Sequence, residues 1–166
     1  MTVIFCHGLE GSPQGRKVQA LRAAGLEVIA PDFQGQNLAA RVATLLPVLR
    51  AHPEALVVGS SYGGITALCA AILHVEAGAR LRALLLCAPA LGHFEPPADA
   101  MRLYPPVPTV ILHGLRDSVV PARVSEEFAT TYPEVRLELV DDEHPLNGSL
   151  DRIVALTREL LGPASP

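Results

Sequence analysis

Six short apolar runs recur along the chain, at residues 2–6, 26–30, 55–59, 83–88, 107–113 and 135–140, and segments with helical spacing of apolar positions lie between most of them. Runs of this length read as strands, and strands alternating with helices imply a parallel sheet covered on both faces. Four of the runs are almost continuously apolar, as strands buried on both faces must be. Val135-Arg136-Leu137-Glu138-Leu139 alternates with charge instead, which puts it at an edge. The helical faces are Val18 and Leu21 ahead of Gly25, and Leu38, Val42, Leu45 and Leu49, where Pro47 predicts a kink or break. Next come the Ala-rich stretch Ile65 to Val75, and Val124 and Phe128 in a helix starting at Pro121. Leu150, Ile153, Val154, Leu156 and Leu160 line the last helix, which the tail Gly162-Pro163-Ala164-Ser165-Pro166 cannot continue. The expected fold is α/β, a three-layer α/β/α sandwich with a mostly parallel sheet of about six strands, in which 1–166 form one domain. Pro89 to Pro106, with Pro96, Pro97 and Pro105 between, is too short for a folded cap domain and too proline-rich for one long helix.

With 166 residues, 49% of them hydrophobic, the chain can bury a substantial core without disulfides. Its net charge is −4, and its basic residues, Lys17 and otherwise arginines, are scattered singly. No stripe exists to track a phosphate backbone or an anionic membrane, so neither nucleic acid nor membrane is an expected partner. The start Met1-Thr2-Val3-Ile4-Phe5-Cys6 lacks a basic leader and reaches His7-Gly8 too soon for a signal peptide, which predicts a cytoplasmic protein. Cys6, Cys69 and Cys87 lie in apolar segments without C-x-x-C spacing and are expected as buried free thiols.

The chemistry starts at Gly59-Ser60-Ser61-Tyr62-Gly63, between the apolar run Leu56-Val57-Val58 and the helical stretch from Ile65. Strand, Gly-x-Ser-x-Gly, helix is the nucleophile-elbow order. A turn this sharp strains the backbone at the serine, and side chains two residues to either side would collide with the neighbouring strand and helix. Only Ser61 fits that frame, because Ser60 would need a glycine at Val58; Ser60 reads as a small filler. The five-residue pattern alone arises by chance in roughly one sequence of this length in twenty-five, so a strand-turn-helix with an incidental serine stays open until the context is weighed. The stretch begins like a P-loop, but Gly59, four residues, Gly64 is followed by Ile65-Thr66 where Lys and Ser/Thr are needed, which argues against a nucleotide site.

The first strand ends in the glycine-rich turn Cys6-His7-Gly8-Leu9-Glu10-Gly11-Ser12, whose backbone N–H groups are free to face an oxyanion. Gly8-x-x-Gly11 is not a dinucleotide fingerprint. Asp117 follows the buried run ending His113-Gly114, at the strand end where ligand sites of parallel sheets lie; it is the candidate acid, or a cap for the helix near Pro121. In the order nucleophile, acid, histidine, only His144 lies beyond Asp117. His7 and His113 end strands and are expected to brace loops, His52 and His74 to be exposed or to pack on helices, and His93 to border the pocket.

These motifs resemble the α/β-hydrolase superfamily over nearly the whole chain: the His7-Gly8 loop, the Ser61 elbow, His113-Gly114-x-x-Asp117-x-x-Val120-Pro121 and His144 come in order at ordinary spacings. The chain looks most like the small cap-less bacterial serine esterases of the YqiA type. It departs at the start, where the family's first two antiparallel strands have no counterpart. The resemblance implies a Ser61, Asp117, His144 triad and an oxyanion hole from the N–H groups of Leu9 and Tyr62. It also implies cleavage of a carboxylic ester or thioester through an acyl-enzyme, with no metal or cofactor. Leu91, Phe94, Met101, Leu103 and Tyr104 either wall the acyl or leaving-group pocket or cover the sheet edge, and His7 and His93 stand near the same pocket. Beyond a small-molecule substrate, the partner considered is a second copy packed over Pro89–Pro106. A non-catalytic binding protein on the same fold, and peptidase, lyase or perhydrolase chemistry on the same site, remain as alternatives.

Overall fold

Alternation within each strand sorts the core into two halves. A computed structural model of the chain describes residues 1–93 and 102–163. Of the residues expected near the pocket, Phe94 and Met101 lie outside that range. Strands β1 (Val3–Cys6), β2 (Val28–Ile29), β3 (Leu56–Ser60), β4 (Ala83–Cys87), β5 (Thr109–Gly114) and β6 (Arg136–Val140) pair in the order β2-β1-β3-β4-β5-β6. Every pairing is parallel. Successive side chains of a strand point to opposite faces. Val3, Phe5, Leu56, Val58, Leu85 and Leu112 therefore pack with Val18 and Leu21 of α1 (Arg16–Ala23) and Ile153 and Leu156 of α5 (Leu150–Leu161). Ile4, Val57, Leu84, Leu86 and Ile111 face the other way, onto Val42, Leu45 and Leu49 of α2 (Leu38–Ala51) and Ile65 and Leu68 of α3 (Tyr62–Glu76). This is the expected three-layer sandwich.

Details of several elements differ from the sequence reading. The second run is a strand only at Val28–Ile29, because Leu26 N–H caps α1 by donating to Leu21 C=O before the chain can pair. Pro47 does not break α2, which runs through it with Leu45 and Leu49 fully buried to either side. The helix expected from Pro121 begins at Arg123 (α4, Arg123–Thr131), two residues on. Val135–Leu139 is an edge as expected: β6 has one neighbour, and Glu138 on it pairs with Arg136 and with Arg152 of α5.

β1 lies inside the sheet; from it the chain moves outward to β2 and then returns to β3 on the other side. The order reverses between β1 and β3, and ligands in open parallel sheets bind at such a switch point beyond the strands' carboxyl ends. Register places Cys6 beside Gly59, so the His7-Gly8 loop and the Ser61 turn emerge side by side there.

Candidate active site

Ser61 stands alone between β3 and α3 with φ 55° and ψ −119°, a conformation that costs a non-glycine residue roughly 1–3 kcal/mol. Its surroundings hold it there. Ser61 N–H donates to Cys87 C=O at 2.9 Å, and its carbonyl accepts from Gly64 N–H at 2.8 Å and Ala90 N–H at 3.0 Å. Both flanking glycines are enforced by close approach: a β-carbon on Gly59 would lie 2.6 Å from Gly63 O, and one on Gly63 2.0 Å from Cys6 O. Gly63→Ala therefore has to push β1 away from α3. The expected loss is about 3 kcal/mol, read by calorimetry as a Tm lower by about 6–12 °C.

The structure brings together the three side chains that sequence reasoning selected. His144 Nε2 is 2.9 Å from Ser61 Oγ, and His144 Nδ1 is 2.6 Å from Asp117 Oδ2. The carboxylate can only accept, so it fixes the proton on Nδ1 and leaves Nε2 to accept from the serine hydroxyl. Asp117 is fully covered while His144 keeps 17% of its side chain exposed, so the imidazole faces the cleft and the carboxylate sits behind it. Asp117 Oδ1 accepts from the N–H groups of Val119 and Val120 at 2.9 and 2.8 Å. Burial pushes the Asp117 carboxyl up, but the His144 hydrogen bond and the two backbone donors outweigh it and hold it below the usual carboxylate range. The helix-cap alternative does not describe it: the Val119 and Val120 groups precede α4, and the other oxygen reaches His144.

His113 braces this carboxylate from below. Its Nε2 is 2.8 Å from Val120 O, which can only accept, so the proton is on Nε2. Its Nδ1 is then free to accept from the Ser125 hydroxyl at 2.7 Å. The same Nε2–H lies 3.2 Å from Asp117 Oδ2. The loop carrying His144 is tied down as well. Lys17, the only lysine in the chain, donates from Nζ to Pro145 O at 2.5 Å, and burial lowers its pKa. Arg116 N–H donates to Asp142 O at 3.0 Å, Asp142 accepts from Ser149 Oγ at 2.8 Å, and Asp141 pairs with the Arg116 guanidinium at 2.7 Å. Asp141, Asp142 and Glu143, the three acids that precede His144, thus have partners other than His144.

Across the switch point, His7 is buried, with Nδ1 donating to Gly8 O at 2.8 Å and Nε2 accepting from Phe33 N–H at 2.9 Å. It borders a small cavity of about 180 Å³ next to the cleft rather than the cleft itself. The N–H groups of Leu9 and Tyr62 have no acceptor among the described residues. The cleft at Ser61, about 610 Å³, is lined by Leu9, Glu10, Val119, His144 and Pro145 together with the glycine-loop backbone. Leu9 and Val119 are each 62% exposed, which makes its rim apolar on both sides.

Leu91, read either as pocket wall or as cover for the sheet edge, is buried in the core half that includes α2 and α3, and Leu103 packs against the same half. Tyr104 donates to Glu76 at 3.0 Å, at the end of α3 about 20 Å of helix from the elbow. The physical reason is connectivity: the chain leaves β4 at the top of the sheet and must re-enter β5 at the bottom, so residues just before Thr109 lie far from the strands' carboxyl ends. Of the other histidines, His74 is buried with Nε2 3.3 Å from Arg80 O, and His52 ends α2. The three cysteines are buried and free, and burial pushes the Cys6 thiol to about 12 and Cys87 to about 11. Among the described residues no three His, Cys, Asp or Glu side chains converge as a metal site, and no helix is long and apolar enough to cross a membrane.

The profile of the Alpha/beta hydrolase family matches residues 3–164. Among solved structures, a protein of the alpha/beta superfamily of hydrolases from Xanthomonas campestris pv. campestris is similar at TM-score 0.79 and 28% identity, covering 96% of this chain and 96% of that one. A serine hydrolase without lid, also from Xanthomonas campestris, gives TM-score 0.70 at 22% identity over 99% of this chain and 84% of the other. Est1E from Butyrivibrio proteoclasticus gives 0.74 at 20% identity over 96% and 86%. The last two likenesses carry the fold alone. No functionally curated protein matches the chain significantly.

Proposed function

We propose that this chain, which belongs to the alpha/beta hydrolase family, cleaves a carboxylic ester or thioester through an acyl-enzyme on Ser61. The observation carrying this reading is the hydrogen-bonded chain from Ser61 Oγ through His144 to Asp117 at 2.9 and 2.6 Å, opening on a cleft, with the N–H groups of Leu9 and Tyr62 lacking an acceptor among the described residues. Ser61 Oγ attacks the acyl carbon while its proton passes to His144 Nε2, and Asp117 stabilises the imidazolium from Nδ1. The negative oxygen of the tetrahedral intermediate rests on Leu9 and Tyr62 N–H. As the carbon–oxygen or carbon–sulfur bond breaks, His144 returns the proton to the leaving alcohol or thiol. Water then repeats the cycle on the acyl-Ser61 ester and releases the acid. Covalent labelling by a fluorophosphonate, followed by a panel of acyl esters and thioesters, tests the reading. A protein that labels and turns over esters meets it, and one that does neither is a binding protein on this fold.

Acyl length follows from the shape of the cleft. Each methylene buried in an enclosing tunnel contributes about 0.8 kcal/mol, so kcat/KM would climb with chain length. An open cleft between Leu9 and Val119 stops rewarding extra carbons early. Among p-nitrophenyl esters from C2 to C16, short acyl groups, roughly acetate to hexanoate, are expected to be cleaved best. A steady rise to C16 would require a cover over the cleft, such as a second copy of the chain.

A further inference from the structure

Arg41 is the largest of the fully buried side chains, 1% exposed in the first turns of α2, and its hydrogen bonds go to backbone carbonyls rather than to a carboxylate. Its Nη1 donates to His7 O at 2.8 Å, Nη2 approaches Gly8 O at 3.4 Å, and Nε donates to Gln36 O at 3.1 Å. Burying a cation that no carboxylate contacts directly is costly, with Asp32 acting on it only through space, and the carbonyls it holds show where that charge acts. Two of the three, His7 O and Gly8 O, are consecutive groups of the loop that faces the nucleophile.

A trans peptide is planar, with its C=O and N–H pointing in opposite directions. Arg41, the His7 ring and Gly11 N–H draw the Gly8 carbonyl to one side, which aims the Leu9 N–H of the same peptide to the other. Gly8 itself packs against the nucleophile: a β-carbon on it would lie 3.4 Å from Ser61 Cβ and 3.9 Å from Ser61 Oγ. The guanidinium also lies 5.0 Å from the ring centroid of Tyr62, whose N–H is the second donor, and 5.5 Å from that of Phe33. One buried cation thus contacts the carbonyl of the peptide that carries the Leu9 N–H and the ring of Tyr62. Its charge polarises the Gly8 peptide, and in a low-dielectric site it favours negative charge developing at the hole.

We propose that Arg41 is a positioning residue for the oxyanion hole: it aims the Leu9 N–H at the reacting oxygen and places a fixed positive charge behind it. The inference rests on the acyl-enzyme reading of Ser61. Arg41 touches neither Ser61, His144 nor Asp117 by any hydrogen bond, so it acts on the oxygen of the intermediate and not on the base.

The test compares an oxo ester with its thiono ester, p-nitrophenyl butyrate against thionobutyrate, because thiocarbonyl sulfur accepts hydrogen bonds poorly and gains little from the hole. In Arg41→Met and Arg41→Lys, kcat for the oxo ester is expected to fall about 10–100-fold, short of the 10²–10³ for removing a donor outright. The oxo-over-thiono preference is expected to fall with it, while the pH midpoint of kcat/KM stays at the wild-type value. The ratio is independent of the fraction of active protein, so a merely structural role does not move it. Arg41→Lys keeps the cation and most of the volume where Arg41→Met leaves the carbonyls unpaired; near-UV circular dichroism establishes the fold of each. A folded variant with the wild-type oxo/thiono ratio overturns the inference, as does loss of fold in both, which would make Arg41 a support of the whole domain. Wild-type protein that neither labels with fluorophosphonate nor turns over the oxo ester overturns the Ser61 reading, and this inference falls with it.

Discussion

Ser61→Ala is expected to lose ester turnover by about 10⁶ in kcat, to the level of residual non-nucleophilic catalysis, and to lose fluorophosphonate labelling completely. The hydroxyl removed makes its side-chain hydrogen bond to His144, the group that would take its proton. Alanine keeps the β-carbon and is no more strained than serine at φ 55°, so Tm should stay near the wild-type value. The measurements are single-turnover release of p-nitrophenol and intact mass after labelling. Ser60→Ala is the control, since Ser60 closes β3 and the glycines at 59 and 63 frame its neighbour. If Ser60→Ala silences the protein and Ser61→Ala does not, the wrong serine has been read as the nucleophile.

Asp117→Asn is expected to lower kcat by about 10⁴ with the fold retained, and the structure gives the atomic reason. Oδ1 of Asp117 accepts from the N–H groups of Val119 and Val120, so an asparagine keeps its oxygen there and turns its NH₂ to the Oδ2 side. That NH₂ then meets His144 Nδ1–H, which donates to the carboxylate in the native protein, and faces the His113 Nε2–H, which lies 3.2 Å from Oδ2. His144 is driven to carry its proton on Nε2, where it can no longer accept from Ser61. Near-normal turnover would leave Asp117 only its bonds to the Val119 and Val120 N–H groups, a structural role. Stability adds a signature of its own. Because the folded Asp117 carboxyl titrates below its unfolded value of about 3.9, its contribution is complete above that pH and lost as pH falls through the folded value. The Tm gap between wild type and Asp117→Asn should therefore hold from neutral pH down to about 4 and narrow below it. A gap that widens on acidification would contradict the net hydrogen bonding to the ionised carboxylate.

Much of this was legible in the chain because the requirements are local or purely topological. A strand buried on both faces must be apolar throughout, which is why Leu56-Val57-Val58 and Ala83–Cys87 announce themselves, while the charges of Arg136 and Glu138 mark β6 as an edge. The serine turn is recognisable because close approach to Cys6 and Gly63 backbone forbids any β-carbon at residues 63 and 59, so glycine spacing alone registers the frame. Chain order then leaves His144 as the one histidine beyond Asp117. A charge at Arg41 on the apolar face of Leu38, Val42 and Leu45 was a visible signal too, since a cation on a buried face demands partners; what it could not disclose was which partners.

What the sequence by itself determined, then, is the alternation that builds a wholly parallel sheet, the frame of the Ser61 elbow and the order of the three side chains, because each follows from periodicity, sterics over five residues, or direction along the chain. Only the tertiary structure decided that Arg41 reaches the carbonyls of His7 and Gly8, that Lys17 holds the loop of His144, that His113 stands under Asp117, and that Leu9 and Val119 rather than Leu91 and Tyr104 border the cleft. Those contacts join residues far apart in sequence and depend on where packed layers bring two backbones together. Hydrophobic period says which face a side chain takes; which atom it then meets is set by sheet order and by where each connection must re-enter the sheet.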